Sequence, residues 1–375
     1  MAYPVLPTSE ACCGCGACSQ VCRWDCISME RDKEGFLYPK VHTEVCKECG
    51  LCMRVCPSLK KETAKPHNGT PLHAFAAINP DECVRRESSS GGVFTLLAEQ
   101  MAEKGGVVFG AAFDKDWNVV HTRTDSKEGL RAFRGSKYVQ SETGQTFREA
   151  KELLEAGREV LFVGTPCQIM GLRGFLGKPY EGLLAVDFIC HGVPSPAVWQ
   201  WYLKRQARHY AKEHWTAWLR YWLRPLSLIR RVEFRNKEKG WKQYHFVLRV
   251  SQARQDMVYH KNPYMRAFLK DVDLRPSCHH CFAKGGSSGS DITLADFWNV
   301  HRVVDGFDDD GGTSLVLVNT ERGARVFDAL ECRKQEVVFQ DAIQYNRAWA
   351  ASYPANPDRC TFFEEYRNCF DSFIT

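Results

Sequence analysis

The sequence predicts an α/β chain built on a mixed sheet, with a small cysteine-bound unit ahead of it. Short apolar, strand-like runs alternate with amphipathic helical patterns from about residue 70 onward, as they do in layered α/β structures. Ten of the 18 cysteines crowd between Cys12 and Cys56. The 375 residues, 44% hydrophobic and 25% charged, supply apolar surface for one large or two modest cores and exclude disorder or fibrous repeats. Met1 to Glu10 has no basic start followed by an apolar core, so it does not read as a secretory signal. No run approaches the roughly 18 apolar residues of a membrane helix. A cytoplasmic, reducing setting is therefore expected, where so many cysteines point to metal rather than disulfides.

The first element is an internal repeat. Cys12, Cys15, Cys18 and Cys22 recur 34 residues later as Cys46, Cys49, Cys52 and Cys56, and a glycine and a valine recur with them. Both halves read C-x2-C-x2-C-x3-C. Three thiolates at that spacing wrap one face of an iron–sulfur cube, while the fourth belongs to the other cluster. Cys12, Cys15, Cys18 and Cys56 are thus assigned to one 4Fe-4S cluster, and Cys46, Cys49, Cys52 and Cys22 to a second. Zinc knuckles usually separate their two C-x2-C pairs by a dozen or more residues, which disfavours them here. The segment resembles the two-cluster bacterial ferredoxin domain, which sets a first domain at residues 1–62. Pro57 follows the fourth cysteine of the second half as in that family, but Arg23 stands at the corresponding place in the first. Cys13 and Cys26 fall outside the ligand pattern and read as small packing residues.

A polar linker from Lys60 to Gly69 leads to the second domain, residues 70–375. Short, largely apolar runs predict strands at Ala74 to Ile78, Val107 to Phe113, Val119 to Arg123, Val160 to Val163, Leu183 to Ile189, Arg231 to Phe234, Phe246 to Val250, Ile292 to Ala295 and Ser314 to Val318. Helical periodicity covers Val93 to Lys104, Thr146 to Ala156, Pro196 to Glu213 and Glu321 to Cys332. Two strands run into cysteine loops, at Gly164-Thr165-Pro166-Cys167 and at Cys190-His191-Gly192, and open α/β sheets place their sites at such carboxyl ends. Cys278 and Cys281 add a third pair with the two-residue gap of a metal clip. Cys167, Cys190, Cys278 and Cys281 are therefore candidates for a third 4Fe-4S cluster, with a closed tetrahedral zinc site as the competing reading. His191, His279 and His280 could replace a thiolate under either, though they also read as polar loop residues. Cys83, Cys332, Cys360 and Cys369 have no ligand-like spacing.

Clusters move single electrons, whereas most organic substrates change by a hydride, so a chain with several clusters calls for a flavin. Neither a G-x-G-x-x-G fingerprint nor a P-loop is present. Ser88-Ser89-Ser90-Gly91-Gly92 before the helix at Val93 offers hydroxyls and bare N–H groups for an anion, although serine and glycine are also ordinary helix caps.

Six ordered motifs then carry a wider resemblance. They are Ser89-Ser90-Gly91-Gly92-Val93-Phe94, Arg134 to Ser141 (RGSKYVQS), Gly164 to Gln168 (GTPCQ), Cys190 to Ser195 (CHGVPS), Phe234 to Trp241 (FRNKEKGW) and Asp291 to Trp298 (DITLADFW). From about Leu72 to Tyr353 the chain resembles the coenzyme F-420 hydrogenase/dehydrogenase beta-subunit family. The resemblance implies FAD and a nearby 4Fe-4S cluster in the second domain, with electrons passing between a deazaflavin or another two-electron partner and the ferredoxin clusters. Carried onto matching positions, Ser89, Ser90, Gly91, Gly92, Lys137, Tyr138, Gly164, Thr165, Pro166 and Asp296 become the flavin-site candidates. The catalytic residues stay unassigned.

Two readings follow. In one, the chain is an FAD and 4Fe-4S dependent oxidoreductase with its own small two-electron substrate or coenzyme and a redox partner protein such as ferredoxin. In the other it is an electron-transfer subunit docked on a catalytic partner. The sequence departs from the family between Trp199 and Arg231, where five tryptophans interleave with six arginines. Trp215, Trp218 and Trp222 share one helical face ahead of Pro225, which suits partner docking, self-association or core packing, and less readily lipid or nucleic acid. The net charge of +5 would fall to about −1 with three clusters at about −2 each, so compensation for cofactors, and not nucleic acid, explains it.

Overall fold

The structure, a computed structural model, describes residues 4–60 and 69–374, with side chains to Tyr366 in the last helix. Most of the linker and the Cys369 side chain lie outside the described residues.

The two halves of the N-terminal repeat fold alike. Gly16 and Gly50 sit at φ 73° and 69°, a left-handed turn that only glycine takes without strain, and each caps a five-residue helix, Ala17–Val21 and Leu51–Val55. Cys22 and Cys56 then leave those helices with nearly identical extended backbones. Between the halves, β1 (Ile27–Arg31) and β2 (Leu37–Val41) pair as an antiparallel hairpin, which sequence periodicity did not mark.

The second domain opens with β3 (His73–Ile78), β4 (Val107–Phe113), β5 (Val119–Thr124), β6 (Val160–Val163) and β7 (Leu183–Phe188). An excursion follows. It holds helix Pro196–Glu213, a second helix Trp215–Leu223, and a separate antiparallel sheet of β8 (Ile229–Asn236), β9 (His245–Val250) and β10 (Ala253–Val258). Trp199, Phe234, Phe246 and Tyr264 build its core.

The chain then returns through β11 (Ile292–Asp296), β12 (Ser314–Val318) and β13 (Arg333–Glu336) to complete an eight-stranded sheet in the order β13-β3-β12-β11-β7-β6-β4-β5. β4, β6, β7 and β11 are mutually parallel, while β5, β12 and β13 run against their neighbours. The predicted mixed sheet is thus present. Because β12 runs against both β11 and β3, β3 points the same way as the parallel set, and its carboxyl end shares their edge.

β6 and β7 are buried along most of their length, as doubly covered parallel strands require. Helices Val93–Glu103 and Glu321–Asp328 cover one face with Leu97, Met101 and Phe327, and helices Thr146–Glu155 and Pro166–Leu176 cover part of the other with Phe147, Ile169 and Leu172.

Helix Pro166–Leu176, which the sequence pattern did not mark, is where the N-terminal unit docks. A Cβ at Gly171 would lie 2.9 Å from both Cβ and Sγ of Cys15, and one at Gly174 would lie 2.5 Å from the Val55 carbonyl. Both glycines let the cysteine loops seat directly on the helix backbone. The predicted helix Glu321 to Cys332 ends at Asp328, since Lys334 Nζ takes up the carbonyls of Phe327 and Asp328.

Candidate functional site

The carboxyl edge of the parallel strands opens into a cavity of about 540 Å³. Cys167, Cys190, Cys278 and Cys281 all line it, from three separate segments of the chain. Thr165 caps helix Pro166–Leu176 through a reciprocal pair with Gln168, which puts Cys167 in the first turn, where the helix dipole favours a thiolate. Cys190 lies just past the end of β7, early in the loop toward Pro196, and Lys284 fixes that loop by donating to the Cys190 carbonyl at 2.5 Å. Burial first, and one another's charge second, push the thiols of Cys190, Cys278 and Cys281 up, Cys278 to about 12 and Cys281 to about 11. Four half-buried thiols facing one cavity are a donor set that a metal centre could use once a cation compensates their charge. Among the described residues, no three His, Cys, Asp or Glu side chains converge as tightly as around a single ion.

The same cavity carries most of the flavin-site candidates, Thr165 Oγ1 lying 3.2 Å from Cys167 Sγ. Ser89, Ser90, Gly92, Lys137, Tyr138, Gly164, Thr165, Pro166 and Asp296 line the cavity, while Gly91 does not. Gly91 lies behind the wall, where a Cβ would collide with the Ala77 carbonyl. The serine hydroxyls are turned into the protein: Ser88 donates to Val84 O, Ser90 donates to Thr313 O, and Ser89 accepts from the Ser136 N–H at 2.6 Å. What remains for an anion is the N-terminus of helix Val93–Glu103, whose Gly92 cap provides no side-chain acceptor.

Arg235 supplies the complementary charge. Its side chain is 4% exposed and pairs through Nη1 with Asp296, while Nε and Nη2 have no partner. The guanidinium lies over the rings of Tyr244 and Trp298, at 4.6 and 5.4 Å, on the cavity wall. Asp296 is therefore committed to Arg235. Lys137 folds its ammonium onto the carbonyls of Phe133, Arg134 and Gly135, and loss of hydration lowers its pKa. Tyr138 stacks on Phe268 at 4.7 Å. Lys237 ties the serine loop down from behind, donating to the carbonyls of Arg85, Ser90 and Gly311.

In the N-terminal unit, Cys18 has Cys12, Cys56 and Cys52 as charged neighbours, and Cys52 has Cys49 and Cys22. Burial, followed by those neighbours, raises Cys18 to about 12. The N–H of Cys26 points at Cys22 Sγ (3.3 Å) and that of Glu48 at Cys46 Sγ (3.4 Å), as backbone donors do around cluster thiolates. The Cys26 thiol itself donates to Val45 O, a packing role.

Cys13 is different. Although its sequence position suggests packing, it lines the cavity, and its thiol interacts with both Cys15 and Cys167. Through Cys13, the N-terminal segment reaches the cavity, with Cys15 next to it. His191 is bound to Asp271 at 2.5 Å and stacked on Tyr353, and His279 bonds the Tyr353 carbonyl, so both are engaged as loop residues. Arg235, His121 and Arg275 are not among the residues the sequence nominated. Arg235 lies inside one of the six motifs without an assigned role, and nothing in the sequence singles out His121 or Arg275.

Residues 157–341 match the family model for the carboxy-terminal part of the coenzyme F-420 hydrogenase/dehydrogenase beta subunit. Residues 74–147 match the model for its amino-terminal part, and residues 11–59 match a 4Fe-4S dicluster domain. The coenzyme F-420-dependent sulfite reductase of Methanocaldococcus jannaschii is 29% identical over 195 residues, 50% of this chain; the match spans 28% of that protein's length. A chain of the xenon-derivatised F-420-reducing NiFe hydrogenase complex from Methanosarcina barkeri shares 18% identity, covers 76% of this chain and 89% of its own, and gives a TM-score of 0.48.

Proposed function

This chain belongs to the coenzyme F-420 hydrogenase/dehydrogenase beta-subunit family, behind a 4Fe-4S dicluster domain, and from that premise we propose that it is an iron–sulfur flavoprotein oxidoreductase. The observation that carries the reading is the shared cavity. It bears the thiols of Cys167, Cys190, Cys278 and Cys281 together with Arg235 and a helix N-terminus, and through Cys13 the N-terminal segment reaches it.

The residues fit FAD. Arg235, with two buried N–H groups unpartnered, and the Val93 helix N-terminus would hold its phosphates, and Tyr138, Gly164, Thr165 and Pro166 would border its rings. When bound, a flavin exchanges a hydride with a substrate and single electrons with clusters. The four cavity cysteines would hold a 4Fe-4S cluster beside it, and the two crossed quartets of the N-terminal repeat would hold two more. The chain's own contribution is placement: Thr165 and Gln168 set Cys167, Lys284 sets Cys190, and Gly171 and Gly174 bring the Cys15 loop against the Cys167 helix. The two-electron partner is a small hydride-carrying coenzyme or substrate, with a deazaflavin the first to test, and a ferredoxin-type protein serves the one-electron end.

Anaerobic purification followed by cofactor extraction tests this. Expected are FAD in the extract and about twelve iron and twelve sulfide per chain. An extract without flavin overturns the flavoprotein reading, and about eight iron with one zinc replaces the cavity cluster with a zinc site.

A further inference from the structure

Helix Trp215–Leu223 is built the wrong way round for a soluble core. Trp215, Trp218, Leu219, Trp222 and Leu223 recur at i, i+3, i+4, i+7 and i+8, a stripe roughly 140° wide at about 100° per residue. In an ordinary surface helix that stripe is buried. Here it faces out: Trp215 is 86% exposed, Leu219 69%, Trp222 67% and Leu223 74%, while Ala217, on the opposite side, is the residue that packs inward. Among the described residues thirteen large apolar side chains are exposed, and five of them lie on these nine residues. Trp218 and Trp222 meet edge to face at 5.8 Å, so the rings form one patch.

The surrounding charge restricts what can cover it. From Lys204 to Arg231 the chain carries eight Lys and Arg, and Glu213 is the one acid. Lys204, Arg205, Lys212, Arg220, Arg224, Arg230 and Arg231 are all exposed. A second copy of the chain, docked face to face, would set this basic field against itself, and like charges across an interface suppress pairing. An occupant must offer an apolar layer with negative charge around it. An anionic bilayer surface has both: tryptophan rings settle at the headgroup boundary, leucines enter the acyl region, and lysines and arginines meet lipid phosphate.

We propose that the outward face of helix Trp215–Leu223, with its basic surround, seats the protein on an anionic lipid surface. The helix lies in the interface plane and does not cross it; no helix among the described residues is long and apolar enough to span a membrane. The attachment is peripheral and salt-sensitive.

Flotation of the cluster-loaded full chain with vesicles of phosphatidylcholine alone, or with about a third phosphatidylglycerol, tests it. The expected result is partitioning onto the anionic vesicles, lost at high salt, with about tenfold weaker binding for Trp215→Ser/Trp222→Ser and for Arg220→Glu/Arg224→Glu. Because these side chains are exposed, iron content and circular dichroism should match the parent chain, which separates lost binding from lost folding. Absence of flotation with anionic vesicles, or flotation that neither variant weakens, overturns the proposal. So does a lipid-free dimer in sedimentation velocity that Trp215→Ser/Trp222→Ser abolishes, which would assign the face to a second copy.

Discussion

Arg275 donates from Nε to the carbonyl of Cys12 at 2.7 Å, so the residue that opens the Cys278 loop also holds the backbone of the first N-terminal cysteine. The side chain is fully buried. It bonds Gln140 Oε1 and the Leu37 carbonyl as well, and its guanidinium lies 4.2 Å over the ring of Tyr38. One fixed positive charge thus stands between the cavity cysteines and the N-terminal cysteines, where it acts on both Cys167 and Cys278.

Replacing Arg275 with Met should therefore do two things. Two buried acceptors and one half-buried acceptor lose a charged donor worth about 1.5–3 kcal/mol at a buried site, and since such terms do not simply add, a net loss of at least about 3 kcal/mol is expected in anaerobic chemical denaturation. The nearby clusters should also become harder to reduce, because a cation beside a cluster favours its more negative, reduced form. Redox titration followed by electron paramagnetic resonance would read a shift to lower potential. Unmoved potentials would show that Arg275 serves packing alone.

Substituting Cys167 with Ser separates the cavity site from the repeat. Iron should fall from about twelve to about eight per chain, with the spectra of the remaining two clusters retained. Cys13 makes the test sharper. Its thiol touches Cys167, so Cys13→Ser should leave the iron count unchanged if it stands beside the centre without ligating it. Loss of four iron in Cys13→Ser, with Cys167→Ser unaffected, would exchange their roles.

The repeat was legible because cluster ligation imposes fixed spacing on a short stretch, and the structure repeats the same glycine turn at Gly16 and Gly50. The parallel strands were legible because double burial makes them continuous apolar runs. β13 (RKQE) is a polar edge strand and β10 (ARQDMV) a mostly polar one, so neither carries a hydrophobic signal, and pairing with β3 and β9 decides their conformation. Helix Pro166–Leu176 was hidden by Gly171 and Gly174, which weaken helical propensity and exist for the Cys15 and Val55 loops, contacts made across more than 100 residues of sequence. The direction of a side chain was the least legible property. Ser90 and Asp296 are where the motifs place them, yet each spends its polar group on the protein, and Arg235 is left as the unpartnered donor.

Arg235→Gln tests that reassignment. The amide keeps some hydrogen bonding but not the charge, and Asp296 loses its partner. A charge-assisted bond worth about 1.5–3 kcal/mol corresponds to roughly ten- to a hundredfold weaker flavin retention, measured by absorbance after gel filtration and by titration of the apoprotein with FAD. Ser90→Ala should weaken retention far less, because its hydroxyl is held by Thr313 O. Equal effects would return the anion site to the serine loop.

His121 sets a pH dependence whose sign can be worked out. The ring is buried on the cavity wall, stacked on Phe162 at 5.5 Å, with Nε2 donating to the Val163 carbonyl at 3.0 Å and Nδ1 unpartnered. Burial pushes its pKa down to about 4, so it is neutral at pH 7. Between pH 6.5 and 4 the unfolded chain takes up a proton that the folded chain refuses, and stability falls as the pH falls through that window. At pH 5.5 the loss relative to pH 7.5 is about 1.3 kcal/mol. Asp187, raised to about 6 by burial against the donors Ser288, Thr293 and Ser290, acts in the opposite direction: the folded state binds the extra proton, and stability rises as pH falls from about 6 toward 3.8. Asp187, Asp273 and the buried Lys137 and Lys237 titrate in both chains, so the change in stability from pH 7.5 to pH 5.5 should be more favourable in His121→Gln than in the parent by about 1.3 kcal/mol, the His121 contribution, measured by denaturation at the two pH values. An equal change in both chains would mean that His121 does not carry the acid sensitivity.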